Sequence, residues 1–508
     1  MVRFEQLLFG LLPRFFGAVW QWDRRQREEE ARQRAAQQEH LMAIAAPSGK
    51  LGDGRLASLR DAETRNLLDA NGLFLGAQQR RMLFFSGEGH LLTYARTGSG
   101  KGRDYVLPNL AHIRDRSLLV VDVKDGENCY ASHKHRAETL GQPCIYLNPF
   151  GLLGLPNTRI NPLQVLVDIV ASGGEIDTQP DEIAHILIPP AAKGGENDWV
   201  RKGAMRLLAT RMEYLANLEP HNCTLGGLWR FVNASVQDME RAFKMMTACG
   251  IEGIERRAAA MATTFADAPK QFEAYKSEAI EALNAFEVGK TLDRSTSAHD
   301  FDFGRLKHEP CTVYIIAPSD KLSVIAPWIS LVVNHAIETI ARERGHVRTC
   351  FLLDEFPQLP PAPAVVKALQ LYRGKGIQLW IFSQGRYSLE SRWSKDRVKE
   401  FEDQAAIFTM TGVEDPELLR DIEKWSGNKT VVTQGQNVGG GAVESAGRNR
   451  SETRRAVLQS EDIRRIGDGR QIIKVAGLQP LFVCQRLPFY TVAPWKDQIG
   501  DVRTLHMG

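Results

Sequence analysis

The sequence predicts an α/β fold, a parallel sheet with helices on both faces that is interrupted by an inserted all-α domain. Two short apolar segments near residues 91–94 and 350–353 have the composition of buried strands, and each leads into a glycine-rich or acidic turn. Between them, residues 166–295 lack β-rich runs and show apolar residues at helical spacing. Because so long a segment cannot be one sheet connection, we expect an α/β domain built from residues 45–165 and 296–500 around an all-α insertion.

The composition indicates a globular protein, because 508 residues at 43% hydrophobic are enough chain for two or three domains with their own cores. Lys and Arg number 64 against 61 Asp and Glu, which leaves a formal charge of +3. This balance excludes recognition of nucleic acid through bulk charge, so any polyanion site must be local. The seven cysteines are scattered without a CxxC pair, which indicates a reducing compartment rather than a disulfide framework or a zinc site.

Residues 1–44 form an amphipathic and charged N-terminal segment. The stretch from Leu7 to Trp20 is apolar apart from Arg14 and is broken by Pro13, and it is shorter than the roughly 20 apolar residues that cross a bilayer. Several apolar residues fall on one helical face, namely Phe4, Leu7, Leu8, Leu11, Phe15 and Val19. We expect this face to lie at a membrane surface; docking on the protein itself or on a partner, and a true span, are the alternatives.

A strand, a glycine turn and the start of a helix follow one another around the string Ala95-Arg-Thr-Gly-Ser-Gly-Lys101-Gly102. In this context Gly98 and Gly100 bring backbone N–H groups against phosphate oxygens, and Lys101 neutralises the β- and γ-phosphates. The pattern predicts a nucleotide-phosphate site formed by Thr97, Gly98, Ser99, Gly100, Lys101 and Gly102. A glycine-rich turn without function is the alternative.

This string departs from the general P-loop pattern at two positions. Ala95 replaces the first glycine, and Gly102 replaces the Ser or Thr whose hydroxyl ligates Mg²⁺. The metal therefore needs another ligand, and the sequence does not identify it.

The second half of a nucleotide site is predicted at Cys350–Phe356, where an apolar strand delivers two carboxylates at its end. Asp354 is the expected Mg²⁺ ligand, directly or through water, and Glu355 is the expected base that accepts a proton from the attacking water. The pair predicts ATP and Mg²⁺ as ligands. An acidic turn at the end of a strand is the alternative.

A third strand, Gln378–Phe382, ends in Ser383-Gln384, where the amide of Gln384 is placed to sense a γ-phosphate or to position water. Before this strand, Arg373 is a candidate arginine finger that would reach the ATP of a neighbouring subunit. A solvated or backbone-capping arginine is the alternative for Arg373.

Residues 434–450 are expected to form a flexible glycine-rich loop, either a hairpin tip or a linker. The alternative is a mobile element near a pore, because four arginines that could meet a phosphate backbone lie at its end and just beyond it: Arg448, Arg450, Arg454 and Arg455.

Several motifs, in order, resemble the conjugative type IV secretion coupling-protein family of RecA-like P-loop ATPases. They are Ala95–Gly102, Val106–Leu110, Val121–Glu127, Leu147–Phe150, Ile160–Leu163, Asn197–Trp199, Val313–Pro318, Leu353–Pro357, Gly376–Leu379, Ser383-Gln384, Asp462-Ile463, Gly477–Pro480 and Pro488–Tyr490. Together they extend over most of residues 90–495, and in this family glycine often follows the P-loop lysine.

The resemblance implies an ATP-hydrolysing motor that recruits a DNA–relaxase complex or protein cargo to a type IV secretion channel. It implies Lys101 on phosphate, Asp354 on Mg²⁺, Glu355 as catalytic carboxylate, Gln384 as γ-phosphate sensor and Arg373 as arginine finger. It also implies a homo-hexamer, single-stranded DNA or a relaxase or protein cargo as partners, and an all-α domain that meets cargo at the cytosolic mouth of the ring.

One departure from the family concerns anchoring, because its members usually begin with a transmembrane pair. We therefore expect a location at the cytoplasmic face of the inner membrane or in the cytoplasm, with a separate membrane-anchoring partner as one alternative. The alternative functions are another RecA-like DNA translocase and a nucleotide-gated cargo-binding scaffold without hydrolysis. The sequence does not identify the cargo or the residues that contact it.

Overall fold

The structure is a computed structural model that describes four stretches of the chain, residues 27–37, 47–190, 198–436 and 448–500. The described residues divide into two compact units: one comprises those up to Gly54 with Gly427–Val457, and the other comprises Arg55–Ser426 with those from Leu458 onward. The predicted amphipathic face within residues 1–26 lies outside the described residues.

The described strands are numbered in chain order: β1 Leu73–Gln78, β2 Arg81–Phe85, β3 His90–Ala95, β4 Ser117–Asp122, β5 Cys144–Leu147, β6 Thr312–Ile316, β7 Thr349–Leu353, β8 Ile377–Ser383, β9 Ala405–Thr411, β10 Asn428–Gln436, β11 Arg448–Ala456, β12 Arg470–Val475 and β13 Phe482–Gln485.

The described helices are α1 27–37, α2 Leu59–Thr64, α3 Leu107–His112, α4 Glu127–Lys134, α5 Gln164–Ala171, α6 Gln179–Leu187, α7 Asp198–Leu218, α8 Leu225–Val232, α9 Val236–Met246, α10 Glu252–Asp267, α11 Pro269–Leu283, α12 Thr291–Thr296, α13 Leu322–Arg342, α14 Pro363–Leu371, α15 Arg386–Glu390, α16 Lys395–Gln404, α17 Pro416–Ser426, α18 Ser460–Arg464 and α19 Trp495–Gln498.

The larger unit is built on one 11-stranded sheet in the order β2-β1-β13-β12-β9-β3-β8-β7-β4-β6-β5. From β9 to β5 the neighbouring strands are parallel, and from β9 outward to β2 they are antiparallel. The parallel strands β3, β4, β6, β7 and β8 are buried along their whole length, as expected for strands covered by helices on both faces.

Alternate residues of these strands enter two separate cores. On β4, Leu119 and Val121 join one apolar cluster, whereas Leu118 and Val120 join the other. This period of two places one helical layer on each face of the sheet, so the unit has three layers.

Helices α5 to α12 occupy the stretch between β5 and β6, where the described residues contain no strand. Local sequence explains where two of them begin, since Thr224 accepts a hydrogen bond from the backbone N–H of Gly227 and Ser235 accepts one from that of Asp238. This helical region coincides with the predicted all-α insertion, and it belongs to the same compact unit as the sheet.

Within the described residues, one helical segment, Ser319–Arg342, is long and apolar enough to cross a membrane. Its most apolar window is 83% buried inside the protein, where α13 carries core residues such as Trp328 and Ile337. Burial in the core accounts for its apolar composition.

In the smaller unit, β10 and β11 form an antiparallel hairpin in which Asn428 pairs with Ala456 and Gln436 with Arg448. The assignment of 434–450 as one loop is therefore wrong at both ends, because residues 434–436 and 448–450 extend the two strands; residues 437–447 lie outside the described residues. The β-branched run Thr430–Thr433 favours this pairing, and the hairpin is not part of the large α/β unit to which the sequence analysis assigned it.

Candidate nucleotide-binding site

The candidate site lies at one edge of the sheet, where four neighbouring parallel strands end. In the order β3-β8-β7-β4, these strands lead into the P-loop, Gln384, the Asp354-Glu355 pair and Lys124. Because the carboxyl ends of parallel strands share an edge, motifs that lie up to 290 residues apart in sequence meet here, as they do in other open α/β sheets.

The P-loop turns directly after β3. Gly98 and Gly100 have φ values of +75° and +87°, which a residue with a Cβ adopts only with strain. A Cβ on Gly98 would meet nothing within 4 Å, so its backbone faces open space. From Gly102 to Val106 the chain makes a π-helical turn that leads into α3, so a helix start follows the loop as predicted.

The P-loop lysine contacts the second carboxylate after β7. Lys101 Nζ lies 3.0 Å from Glu355 Oε1, and the Lys101 side chain is only 3% exposed. Gln384 Nε2 donates to the other oxygen, Glu355 Oε2, at 3.2 Å. The structure thus brings together three of the predicted site residues in one hydrogen-bonded group.

Lys124 adds a second cation to this group. Its Nζ lies 3.6 Å from Asp354 Oδ2 and 3.5 Å from Glu355 Oε1. Burial alone would raise the pKa of Glu355, but Lys101 and Lys124 outweigh burial and hold that pKa below its usual value. Burial likewise opposes the charge of Lys124, yet Asp354 and Glu355 raise its pKa. Glu355 and Lys124 are therefore both ionised at neutral pH.

The backbone bends sharply between the two carboxylates. Glu355 has φ +48° and ψ +35°, the left-handed conformation, and its N–H donates to Asp354 Oδ1 at 2.9 Å. Such a conformation is unfavourable for a residue with a side chain and is found at functional sites where the surroundings enforce it. The bend gives two adjacent residues different orientations at the end of one strand.

Asp122 and Asn128, to which the sequence analysis gave no role, belong to the same edge. Asp122 ends β4 and accepts from the backbone N–H of Cys129 at 2.8 Å and from Asn128 Nδ2 at 3.2 Å. Burial raises the pKa of Asp122 to about 7, and the nearby Asp354 charge acts in the same direction. The signal in the sequence was the acidic end of an apolar strand, the same pattern that identified Asp354.

A buried ion pair between Arg486 and Asp104 contacts the backbone of the P-loop. Arg486 Nε donates to Asp104 Oδ2 at 2.8 Å, and the two side chains are 2% and 0% exposed. Arg486 also donates to the carbonyl oxygen of Ser99 and, at 3.0 Å, to the hydroxyl of Thr411. No sequence signal pointed to Arg486, because the contact depends on β13 lying near the P-loop.

A cavity of about 650 Å³ opens beside the P-loop. Its lining combines polar residues of the P-loop with Lys124, Asn128 and Asp354, and it also includes the apolar or aromatic side chains Leu107, Phe489, Tyr490 and Ile499. A cavity whose lining includes both cationic and apolar side chains suits a nucleoside phosphate.

The residues present fit ATP and Mg²⁺. Exposed backbone at Gly98, a buried lysine and a second lysine provide donors and positive charge for phosphates. In the described stretches no group of three or more His, Cys, Asp or Glu could hold a metal ion unaided. Mg²⁺ is usually bound by one or two carboxylates together with phosphates and water, so Asp354 beside a phosphate site meets its needs.

The structure does not bring Arg373 to this site. Arg373 lies in an exposed turn before β8, whereas Gln384 follows the same strand. A strand of this length spans roughly 20 Å. Arg373 lies at the amino ends of the parallel strands, and the P-loop of the same chain lies at their carboxyl ends. The arginine-finger role would therefore have to act toward another subunit, and a solvated or backbone-capping arginine remains the alternative.

Comparisons with known proteins identify the family of the chain. A family model described as type IV secretory system conjugative DNA transfer matches residues 29–506. Two Escherichia coli proteins named conjugal transfer protein TraG are each 24% identical to the chain, over 348 and 345 residues. Both alignments cover 64% of this chain and 53% of the relative, so the chain spans about half the length of the curated relatives it matches.

Solved structures of the plasmid coupling protein TrwB have a similar fold. TrwB in complex with the non-hydrolysable ATP analogue ADPNP matches with a TM-score of 0.63 at 16% identity, over 88% of this chain and 96% of that one. TrwB in complex with ADP and Mg²⁺ matches with a TM-score of 0.61 at 16% identity, over 86% and 94%. The predicted RecA-like α/β fold with an all-α insertion is confirmed.

Proposed function

Since the chain belongs to the type IV secretory system conjugative DNA transfer family, we propose that it is an ATP-hydrolysing motor that couples cargo to a secretion channel. The cargo would be a DNA–relaxase complex, with single-stranded DNA as the translocated polymer, or a protein.

The observation that carries the proposal is the meeting of Lys101, Glu355, Gln384 and Lys124 within hydrogen-bond or ion-pair distance at one sheet edge. A scaffold that only binds nucleotide needs the P-loop but not a buried carboxylate with an amide beside it. ATP hydrolysis needs both, because a water molecule must be oriented and deprotonated while charge on the phosphates is neutralised.

In the proposed reaction, the backbone N–H groups of Thr97, Gly98, Ser99, Gly100 and Gly102 and the ammonium of Lys101 would hold the phosphates. Asp354 would hold the metal, and bound Mg²⁺ would supply positive charge to the phosphate oxygens. Glu355 would accept the proton of the attacking water, and Gln384, which already donates to Glu355, would orient that water or sense the γ-phosphate.

The Lys101–Glu355 contact suggests how nucleotide would activate the base. When a phosphate forms an ion pair with the Lys101 ammonium, Glu355 loses that contact and keeps its contacts with Lys124 and Gln384. Losing one adjacent cation raises the pKa of a carboxylate and makes it a stronger base. Binding and activation would thereby be coupled through one lysine.

Arg373 would complete the site of a neighbouring subunit in a homo-hexamer. Its position at the far edge of the sheet, exposed to solvent, is compatible with an arginine finger that acts in trans. A ring also gives a closed symmetry in which every site receives one such arginine.

The proposed location is the cytoplasmic face of the inner membrane or the cytoplasm, with the secretion channel and a membrane-anchoring protein as further partners. The all-α region between β5 and β6 is the proposed cargo-recruiting part.

The test is ATP hydrolysis by the purified chain with and without single-stranded DNA, beside Lys101→Ala and Glu355→Gln. Stimulation by DNA that both substitutions abolish is the expected result. Binding of ATP without hydrolysis under any ligand would favour the nucleotide-gated scaffold, and basal hydrolysis indifferent to DNA would favour protein cargo.

A further inference from the structure

The P-loop lacks an oxygen where most P-loops have one. Gly102 follows Lys101 at the position whose Ser or Thr hydroxyl normally ligates Mg²⁺. A glycine offers no side-chain ligand, so this chain must supply the oxygen from elsewhere or bind the metal more weakly.

The side chain of Asn128 lies beside the position that such a hydroxyl would branch from. A Cβ built on Gly102 would lie 3.3 Å from Asn128 Oδ1, and apart from the adjacent residues and the backbone of the same helical turn no other atom lies within 4 Å of it. A serine or threonine hydroxyl is bonded directly to that Cβ, so Oδ1 lies close to the position of the missing oxygen. Asn128 also lines the same cavity as Lys101 and Asp354.

Asp122 fixes which end of the amide faces the cavity. Asn128 Nδ2 donates to Asp122 Oδ1 at 3.2 Å, and the other Asp122 oxygen is held by the backbone N–H of Cys129. With its NH₂ group turned toward Asp122, the amide directs Oδ1 toward Gly102. Among the described residues, no hydrogen-bond donor contacts Oδ1, although Asn128 is only 5% exposed.

We propose that Asn128 Oδ1 is an Mg²⁺ ligand in the nucleotide complex and replaces the hydroxyl absent at Gly102. The proposal rests on the function proposed above. Amide oxygens are suitable ligands for hard divalent cations, and Asp122 would act as a positioning residue that orients the amide.

The first experiment measures the affinity of the full chain for a non-hydrolysable ATP analogue with Mg²⁺ and with EDTA. Wild type should bind more tightly with Mg²⁺. Asn128→Ala should still bind the analogue in EDTA, which shows that the pocket is folded. The factor by which Mg²⁺ increases its affinity should be about tenfold smaller than in wild type. Ser132→Ala is the matched control. Ser132 lies one turn further along α4, and its hydroxyl donates to the backbone carbonyl of Asn128, not to the side-chain oxygen, without lining the cavity.

A second variant restores the oxygen at the original position. Gly102→Ser alone would crowd Asn128 Oδ1, whereas Gly102→Ser combined with Asn128→Ala leaves room for the hydroxyl. We expect the double variant to recover the Mg²⁺ gain that Asn128→Ala lacks. An Asn128→Ala variant with an undiminished Mg²⁺ gain overturns the proposal.

A measurement on wild type needs no variant. With Mn²⁺ in place of Mg²⁺ and asparagine labelled with ¹³C at the side-chain carbonyl, electron–nuclear double resonance should detect a ¹³C coupling in the nucleotide complex. Absence of this coupling overturns direct ligation by Asn128. Failure of wild type to bind the analogue at all would instead refute the proposed function, so the two failures are distinguishable.

Discussion

Lys101 Nζ lies 3.0 Å from Glu355 Oε1, so the residue expected to bind phosphate also neutralises the residue expected to act as base. Replacing Glu355 with Gln removes the base and frees Lys101 from its ion pair. We expect Glu355→Gln to bind ATP at least as tightly as wild type and to hydrolyse it about 10²–10⁴-fold more slowly. Equilibrium binding and single-turnover hydrolysis measure the two effects, and loss of binding would contradict this account.

Lys101→Ala should lower the affinity for nucleotide in addition to abolishing hydrolysis. A hydrogen bond to a charged group contributes about 1.5–3 kcal/mol, so the dissociation constant for an ATP analogue should rise roughly 10- to 100-fold. Lys134→Ala, which removes an exposed lysine of α4, is the control. Equal affinities of the Lys101→Ala protein and wild type would exclude a phosphate role for this lysine.

The buried pair of Arg486 and Asp104 should stabilise both the fold and the P-loop. Arg486→Met removes the buried partner of Asp104 and leaves it paired with Arg103, which is 41% exposed; removing one member of a fully buried pair costs up to about 3–5 kcal/mol. We expect a lower melting temperature and weaker nucleotide binding, because the Ser99 carbonyl loses its donor. Adding Asp104→Leu should recover part of the melting temperature but not the affinity; unchanged melting of Arg486→Met would refute the role.

The trans role of Arg373 predicts complementation between two inactive variants. If each site uses its own Lys101 and a neighbour's Arg373, an equal mixture of Lys101→Ala and Arg373→Ala subunits contains some complete sites. Random assembly in a ring gives about a quarter of the wild-type rate. Lys375→Ala, in the same exposed turn, should remain active by itself, and a mixture as inactive as its components would argue against a shared site.

A buried histidine should make the protein sensitive to acid. Burial lowers the pKa of His335 to about 3, and His299 and Arg342 add to the effect. Below the unfolded-state pKa near 6.5, the unfolded chain binds a proton that the folded chain does not, so the free energy of unfolding falls by about 1.4 kcal/mol per pH unit. His335→Leu should therefore lose less melting temperature than wild type between pH 7.5 and pH 5.5. An equal loss in both proteins would contradict the shift.

Local patterns were sufficient to predict the elements that carry the site. The P-loop and the strand ending in Asp354 each combine an apolar strand with a characteristic turn, and both signals lie within about ten residues. The all-α insertion was predictable from helical spacing over more than a hundred residues.

Contacts made across the sheet could not be predicted in this way. Asn128 approaches Gly102 because β4 and β3, which precede these two residues, end on the same side of the sheet although two other strands lie between them. Arg486 reaches Asp104 because an antiparallel extension, β12 and β13, joins the parallel strands at β9. The strand ends near residues 434 and 450 were missed because glycine and polar residues are typical of loops. Only the pairing with the opposite strand shows that these residues are extended.

The strand order also determines when during synthesis the P-loop strand can pair with its neighbours. Strand β3, which carries the P-loop, pairs only with β8 and β9, and the backbone N–H of Leu379 on β8 meets His90 across 289 residues of chain. At about 5–20 residues per second, a ribosome takes roughly 15–60 s to make that length. For this time β3 lacks the strands it pairs with, so the nascent chain has no complete nucleotide site and exposes an apolar segment that is prone to aggregation until β8 emerges.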